Sequence, residues 1–142
     1  MLPVTCTITV PLGTLSVNTG IFRLSSTAME NEQVTWRRSD VNNPFVEGSW
    51  TVNAVRENVV AQLDVWVRGG DAAETAAGVQ AVRDALSQRN YAIVATFDGI
   101  QRTYLCYVAD FVVRQTREYR HATMAQVSAQ VPRHPMFTET EV

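Results

Sequence analysis

Alternation between apolar and polar residues is clearest in the middle of the chain. Over residues 59–67 every odd position is apolar, while the even positions include Gln62 and Asp64. A period of two over a stretch of this length is typical of a strand with one buried face. We therefore predict a half-buried strand that ends at the dipeptide Gly69-Gly70.

A helix is predicted directly after these glycines. Asp71 and Glu74 form an acidic version of the capping-box pattern that opens helices. The apolar residues that follow are three and four positions apart and share one stripe: Ala76, Val79, Val82 and Leu86. We predict a helix over about residues 72–88, ended by Asn90 in a left-handed cap.

A hairpin is predicted next. Residues 91–97 are strand-like, and Asp98-Gly99 matches a type I′ turn, in which both central residues need positive φ. The return strand covers residues 102 to about 114 and is apolar on both faces. It therefore needs cover from the helix on one side and from a second sheet or another subunit on the other. Asp110 interrupts it, and either pairs with an arginine at one end of the strand or turns outward at a bulge.

The N-terminal part of the chain is also predicted to be β-structure. Residues 4–10 alternate, with threonines on the polar face, and a second strand region over about residues 15–24 indicates a short meander. Residues 48–55 are predicted to form a further strand. Arg56-Glu57-Asn58 is predicted to turn this strand back into the one at 59–67, which makes a hairpin with long arms.

The C-terminal part is predicted to hold the last strand and a tail. The charged residues 114–121 are interpreted as a solvated extension or turn, and residues 124–131 alternate as a strand. Pro132 and Pro135 oppose further strand pairing, so residues 132–142 are predicted to be an extended tail. The prediction is thus a single domain over residues 1–131, with a long loop at about 25–45, followed by that tail.

The predicted fold class is α+β, mainly β. It comprises two packed antiparallel sheets, sandwich-like or barrel-like, with a long hairpin and one flanking helix over about 72–88.

The length of 142 residues fits one domain, and 46% apolar with 18% charged residues is typical of a soluble globular chain. A net charge of −2 argues against a general nucleic-acid binder. No window is long enough for a membrane-spanning helix, and we expect no secretory signal, hence folding in a cytoplasm.

Little in the sequence indicates catalysis. Cys6 and Cys106 are too few for a structural zinc site and lie in apolar strand patterns, which predicts buried thiols. A disulfide between them remains open if their strands are neighbours. His121 and His134 have no nucleophile in a recognisable setting, and the glycine pair before the helix lacks the pattern of a phosphate-binding loop. We predict no enzyme activity, no metal and no cofactor.

Residues 25–43 are polar and largely lack apolar periodicity. Loops this long within compact domains are usually functional or disordered. Trp36, Phe45 and Trp50 lie in or beside this segment, together with Arg37-Arg38. Tryptophan and arginine are enriched at the centres of interfaces. The segment is therefore a candidate interface, and the alternative is that its aromatic residues fold back onto the domain's own core.

The predicted order of elements resembles the fold of tail-tube, distal-tail and related minor tail proteins of long-tailed bacteriophages. The resemblance covers nearly the whole chain. It is carried by the hairpin around Arg56-Glu57-Asn58, by the helix after Val65-Trp66-Val67-Arg68-Gly69, and by residues 91–111 with the Asp98-Gly99 turn. These are features of topology rather than a short motif.

The resemblance implies a structural protein of the virion tail, made in the cytoplasm of the bacterial host. It implies a closed, commonly hexameric ring of identical subunits that also contacts neighbouring tail proteins. DNA would pass through the ring without sequence-specific binding, and no membrane insertion is implied. The expected subunit interface consists of Trp36, Arg37, Arg38, Asp40, Phe45, Trp50, Val55, Arg56 and Glu57.

Two other functions remain open from the residues alone. One is a monomeric β-sandwich binding module that uses the surface between Trp36 and Trp50 for a ligand or carbohydrate. Self-association distinguishes it from a ring protein, because a binding module stays monomeric. The other is a small enzyme with scattered site residues, which would need a pre-formed apolar pocket with converging polar groups.

Overall fold

A computed structural model describes residues 3, 5–11, 13–27, 29, 34–42, 49–118 and 122–141. The elements in chain order are β1 (Thr5–Val10), β2 (Gly13–Ser16), β3 (Phe22–Thr27), β4 (Trp36–Asn42), β5 (Ser49–Arg56), β6 (Val59–Arg68), α1 (Ala72–Leu86), β7 (Asn90–Thr96), β8 (Ile100–Tyr107), β9 (Asp110–Glu118) and β10 (Ala122–Glu141). The predicted class, mainly β with one helix, is confirmed.

Two sheets are formed. Eight strands build a nearly closed, barrel-like sheet in the order β2-β1-β7-β8-β10-β6-β3, with β9 also paired to β10. We call this sheet the barrel. Strands β4 and β5 form a separate two-stranded sheet, which we call the ribbon. The predicted strand at 59–67 is β6, and its odd residues lie in the core as predicted: Val59, Ala61, Leu63, Val65 and Val67.

The helix begins as predicted. The Asp71 carboxylate accepts a hydrogen bond from the backbone N–H of Glu74 at 2.8 Å, and the Glu74 carboxylate accepts one from the N–H of Gly70 at 3.0 Å. The helix ends at Leu86 with Ser87 as its cap, close to the predicted end at about residue 88. The predicted cap at Asn90 is wrong, because Asn90 already begins β7.

The buried face of α1 differs from the predicted stripe in one residue. Ala76 is exposed, whereas Val79, Val82 and Leu86 are buried, joined by smaller residues such as Gly78. A Cβ atom on Gly78 would lie 2.7 Å from both Ile21 Cδ1 and Val67 Cγ1. The helix therefore approaches the sheet too closely at this point for any larger residue to fit without a shift.

The hairpin at Asp98-Gly99 is confirmed. The N–H of Phe97 donates to the carbonyl of Ile100 at 2.7 Å, and Gly99 has φ of +76°. The single return strand is wrong, since the chain breaks after Tyr107 into β8 and β9.

The break between β8 and β9 changes which alternate residues point inward. Tyr104 and Cys106 point inward from β8, and after the break the inward residues are Ala109, Phe111 and Val113. The N–H of Ala109 donates to the carbonyl of Leu86 at 3.1 Å, which ties the break to the end of the helix. Asp110 is exposed, as in the outward alternative.

The long hairpin lies elsewhere than predicted. Strand β5 pairs with β4, and β6 pairs with β3 and β10, so Arg56-Glu57-Asn58 is a continuation rather than a turn. The N–H of Glu57 donates to the carbonyl of Thr35 at 2.7 Å, which adds one hydrogen bond just beyond the end of the β4–β5 ladder. The predicted N-terminal meander is correct for β1 and β2, which pair antiparallel, and wrong for β3, which pairs with β6 and not with β2. Strand β4 occupies part of the predicted loop at 25–45.

The strand end predicted at residue 131 is wrong. Strand β10 continues to Glu141. Residues up to Arg133 pair with β6, Arg133 also pairs with Cys106 of β8, and pairing with β8 continues from Phe137 after a register shift. Pro132 keeps its place opposite Val60 of β6, and Pro135 lies within the register shift, so each proline removes a donor only at its own position. Strands that move from one part of a barrel to another commonly do so at such a bend.

The charged stretch before β10 is also strand. Residues up to Glu118 belong to β9 and pair with β10, so the predicted solvated extension is wrong over residues 114–118, and His121 lies outside the described residues.

The cysteine prediction is confirmed, since Cys6 and Cys106 are free and buried on strands that β7 separates. Burial raises the pKa of each thiol to about 12.

Candidate subunit interface

The ribbon brings together most of the residues predicted for an interface. Trp36 lies opposite Arg56 and Arg37 opposite Val55 in the β4–β5 ladder. Further along, the backbone of Arg38, Asp40 and Trp50 belongs to the same ladder, with a register shift at Asp40. Phe45 lies outside the described residues. Among the described strands, β4 and β5 pair only with each other.

Apolar side chains on the ribbon are open to solvent. Trp36 is 46% exposed and Val55 is 47% exposed, and Val34 just before β4 is similarly open. A two-stranded hairpin on its own is marginally stable in water. The alternative in which the aromatic residues fold back onto the core therefore fails for Trp36. A half-exposed tryptophan on a projecting ribbon is a feature of contact surfaces.

Polar groups surround the base of the ribbon. Arg37, Arg56, Glu57 and Asn58 line an open cavity of about 360 Å³. The Arg56 guanidinium donates to the Met136 sulfur at 3.7 Å, which connects the ribbon to β10. Apolar residues with a polar rim are the usual anatomy of a protein–protein interface.

A second apolar surface lies on the outside of the barrel. Residues from β1, β7 and β8 line an open cavity of about 510 Å³ there, among them Ala92, Leu105 and Tyr107. Leu105 is 58% exposed. Leu105 belongs to the outward face of the return strand, for which the sequence predicted cover by a second sheet or another subunit, and it stays exposed in the described chain.

A cluster of arginines and aromatic rings joins β8 to the C-terminal half of β10. Arg102 Nε donates to Glu139 Oε2 at 2.8 Å, and its guanidinium lies 4.9 Å from the ring centre of Phe137. Arg133, only 1% exposed, places its guanidinium 5.0 Å from the ring centre of Tyr104. Hydrogen bonds with Tyr104 and then Glu139 raise the pKa of Arg102.

Sequence reasoning missed this cluster. Arg102 and Glu139 are 37 residues apart, and no local spacing relates them. Their pairing depends on β10 continuing past its prolines, which the sequence pattern argued against.

Within the described residues, no group of three or more histidine, cysteine or acidic side chains is placed to hold a metal ion. At the start of α1 the Asp71 carboxylate accepts from the N–H of Glu74 and the Glu74 carboxylate accepts from the N–H of Gly70, and two carboxylates at this position would repel a phosphate. None of the described helices has the length and apolar character needed to cross a membrane.

Two solved structures share this fold. A chain of the phage p2 baseplate in its activated conformation with Sr superimposes with a TM-score of 0.61 at 9% identity, over 88% of this chain and 43% of that one. A chain of the same baseplate with Ca gives 0.60 at 10% identity, over 89% of this chain and 43% of that one. This chain thus spans less than half the length of either neighbour. No protein-family model and no curated protein matches the sequence.

Proposed function

We propose that this protein is a structural subunit of a bacteriophage tail or baseplate. It assembles with copies of itself into a closed, hexameric ring around the DNA channel, as a tail-tube, distal-tail or minor tail component. The fold shared with the phage p2 baseplate chains supports the tail assignment. The observation that carries self-association is the ribbon, whose exposed Trp36 and Val55 have no cover in the described part of the chain.

The ribbon is the proposed subunit interface. Its apolar residues supply the buried centre, and Arg37, Arg56 and Glu57 supply the rim. A contact between the ribbon of one copy and a different surface of the next is heterologous, and heterologous contacts close into rings when the rotation permits. Arg38, Asp40, Phe45 and Trp50 complete the proposed surface.

The proposed role is passive toward DNA and non-enzymatic. A net charge of −2 provides no general attraction for phosphates, which suits a channel that DNA traverses without sequence-specific binding. The proposed location is the virion tail, after synthesis in the host cytoplasm, and the proposed neighbours are other tail proteins.

The first experiment measures the mass of the purified protein by light scattering, with negative-stain images of the same fraction. Rings or short tubes are expected. The double variant Trp36→Ser/Val55→Ser should lose them while keeping its circular dichroism spectrum. Val112→Ser, which alters an exposed valine on β9, is the matched control and should still assemble.

A strict monomer at tens of micromolar, with and without other tail proteins, would contradict the ring. The ribbon would then be tested as the ligand surface of a monomeric binding module. Equal assembly by the ribbon double variant and the control would place the interface elsewhere on the molecule.

A further inference from the structure

The two halves of β10 are held in different ways. Residues 124–130 lie between two strands, with β6 on one edge and β9 on the other. Residues 137–141 pair with β8, and no other described strand pairs with them. All side chains from Met136 to Glu141 are exposed. The C-terminal half is therefore attached along a single edge, whereas the N-terminal half is fixed along both.

A bend separates these halves. The pairing with β8 shifts register between Arg133 and Phe137, and Pro135 lies within this shift. Pro132 lies just before it, opposite Val60 of β6. Each proline lacks the N–H that a ladder bond requires. Arg133 Nη1 donates to the carbonyl of His134 at 3.1 Å, which is a bond within the bend itself. A bond of this kind does not hold residues 137–141 to the barrel, so the bend can act as a hinge.

The side chains that contact residues 137–141 lie on β8, apart from Arg133 of β10, whose guanidinium lies 6.0 Å from the ring centre of Phe137. The Phe137 ring lies 5.3 Å from the Tyr104 ring and 4.9 Å from the guanidinium of Arg102. Glu139 accepts its hydrogen bond from the same Arg102 at 2.8 Å. Because Arg102 and Tyr104 are both on β8, a second copy of the chain presents the same complete acceptor.

We propose that residues 137–141 exchange between copies of this chain. The C-terminal half of β10 from one copy pairs with β8 of the next, and the bend is the hinge. This inference rests on the self-association proposed above. After exchange, the strand makes with β8 of the neighbouring copy the same contacts that it makes with β8 of its own chain. For this reason swapping of identical elements is a low-cost route to oligomers. Within each chain, Arg133 stays in contact with the Tyr104 ring, so the barrel remains packed at that position after exchange.

Cysteine pairing between separate chains tests the exchange. Thr103 and Thr138 are direct partners across β8 and β10. Partners in antiparallel strands have Cα atoms about 4.5–5.5 Å apart, within the range of a disulfide. One chain carries Thr103→Cys and another carries Thr138→Cys. The two chains are co-expressed, oxidised and then denatured without reductant, so that only a disulfide keeps them together. The matched control is the pair Thr7→Cys and Val94→Cys, which are partners across β1 and β7.

A covalent dimer between the Thr103→Cys and Thr138→Cys chains, above the background of each variant alone and absent from the control pair, is expected. No such dimer, or equal dimer in both pairs, would overturn the exchange. Light scattering on the same samples separates the two proposals. Rings without the covalent dimer would leave the proposed function standing and remove only the exchange.

Discussion

The barrel and the ribbon are built from the same kind of strand but differ in what covers their apolar side chains. In the barrel, β6 directs its odd residues into a closed interior, where Leu63 and Val67 are fully buried. In the ribbon, Trp36 and Val55 remain about half exposed. The interior stabilises the single chain, because apolar area is removed from water there. The ribbon would gain that stabilisation only when something else covers it, which is the reason for proposing it as the assembly surface.

The largest expected effect on stability is in the barrel core. Leu63→Ala should lower the free energy of unfolding by about 2–5 kcal/mol, because it leaves a cavity between β6 and its neighbours. Val60→Ala, on the outward face of the same strand and 56% exposed, is the control and should change stability by less than about 0.5 kcal/mol. Urea unfolding measures both. Equal losses would break the distinction between the two faces of β6.

A smaller loss is expected where the helix meets the barrel. Gly78→Ala adds a Cβ that would lie 2.7 Å from Val67 Cγ1, and such overpacking costs about 1–3 kcal/mol. The better helix propensity of alanine returns about 1 kcal/mol of this. A lower thermal midpoint is therefore expected. An increase would mean that the helix can move away from β6 without cost.

The helix cap should contribute about 1 kcal/mol. Asp71→Ala removes the carboxylate that accepts from the N–H of Glu74, and loss of such a cap costs about 0.5–2 kcal/mol. Asp84→Ala is the matched control, because that carboxylate lies near the negative end of the helix dipole and contributes less there. The two are compared by chemical unfolding. A larger loss for Asp84→Ala would contradict the role of Asp71 as the cap.

Changes in the ribbon are expected to have the smallest effect on the stability of the single chain. They are expected to have the largest effect on ring assembly. Thr35 and Glu57 are joined by a 2.7 Å hydrogen bond, so residues 36–56 can be replaced by an Asn-Gly turn. The shortened protein should retain the thermal midpoint of the full-length monomer and form no rings by light scattering. Unfolding of this variant in circular dichroism would show that the ribbon belongs to the core after all.

Local features were predictable from the sequence because they depend on neighbouring residues. The period of two at residues 59–67 predicted both the strand and its buried face. Asp71 and Glu74 predicted the start of α1, and Asp98-Gly99 predicted a hairpin. The ribbon residues predicted as an interface were recognised by composition, and Trp36 is indeed exposed. Their role in subunit contact stays a prediction.

Pairing between distant strands was decided only in the tertiary structure. The sequence placed a turn at Arg56-Glu57-Asn58 and an end at Pro132, yet β5 continues into β6 and β10 continues to β8. A strand pattern specifies which side chains share a face, but it does not specify which edge will accept its N–H and C=O groups. Arg102 and Glu139 meet because β10 bends and finds a second neighbour. By itself, then, the sequence determined the conformation of the segments with a clear local pattern, while the competition among strand edges for partners decided how the segments joined and where β4, β9 and β10 extend.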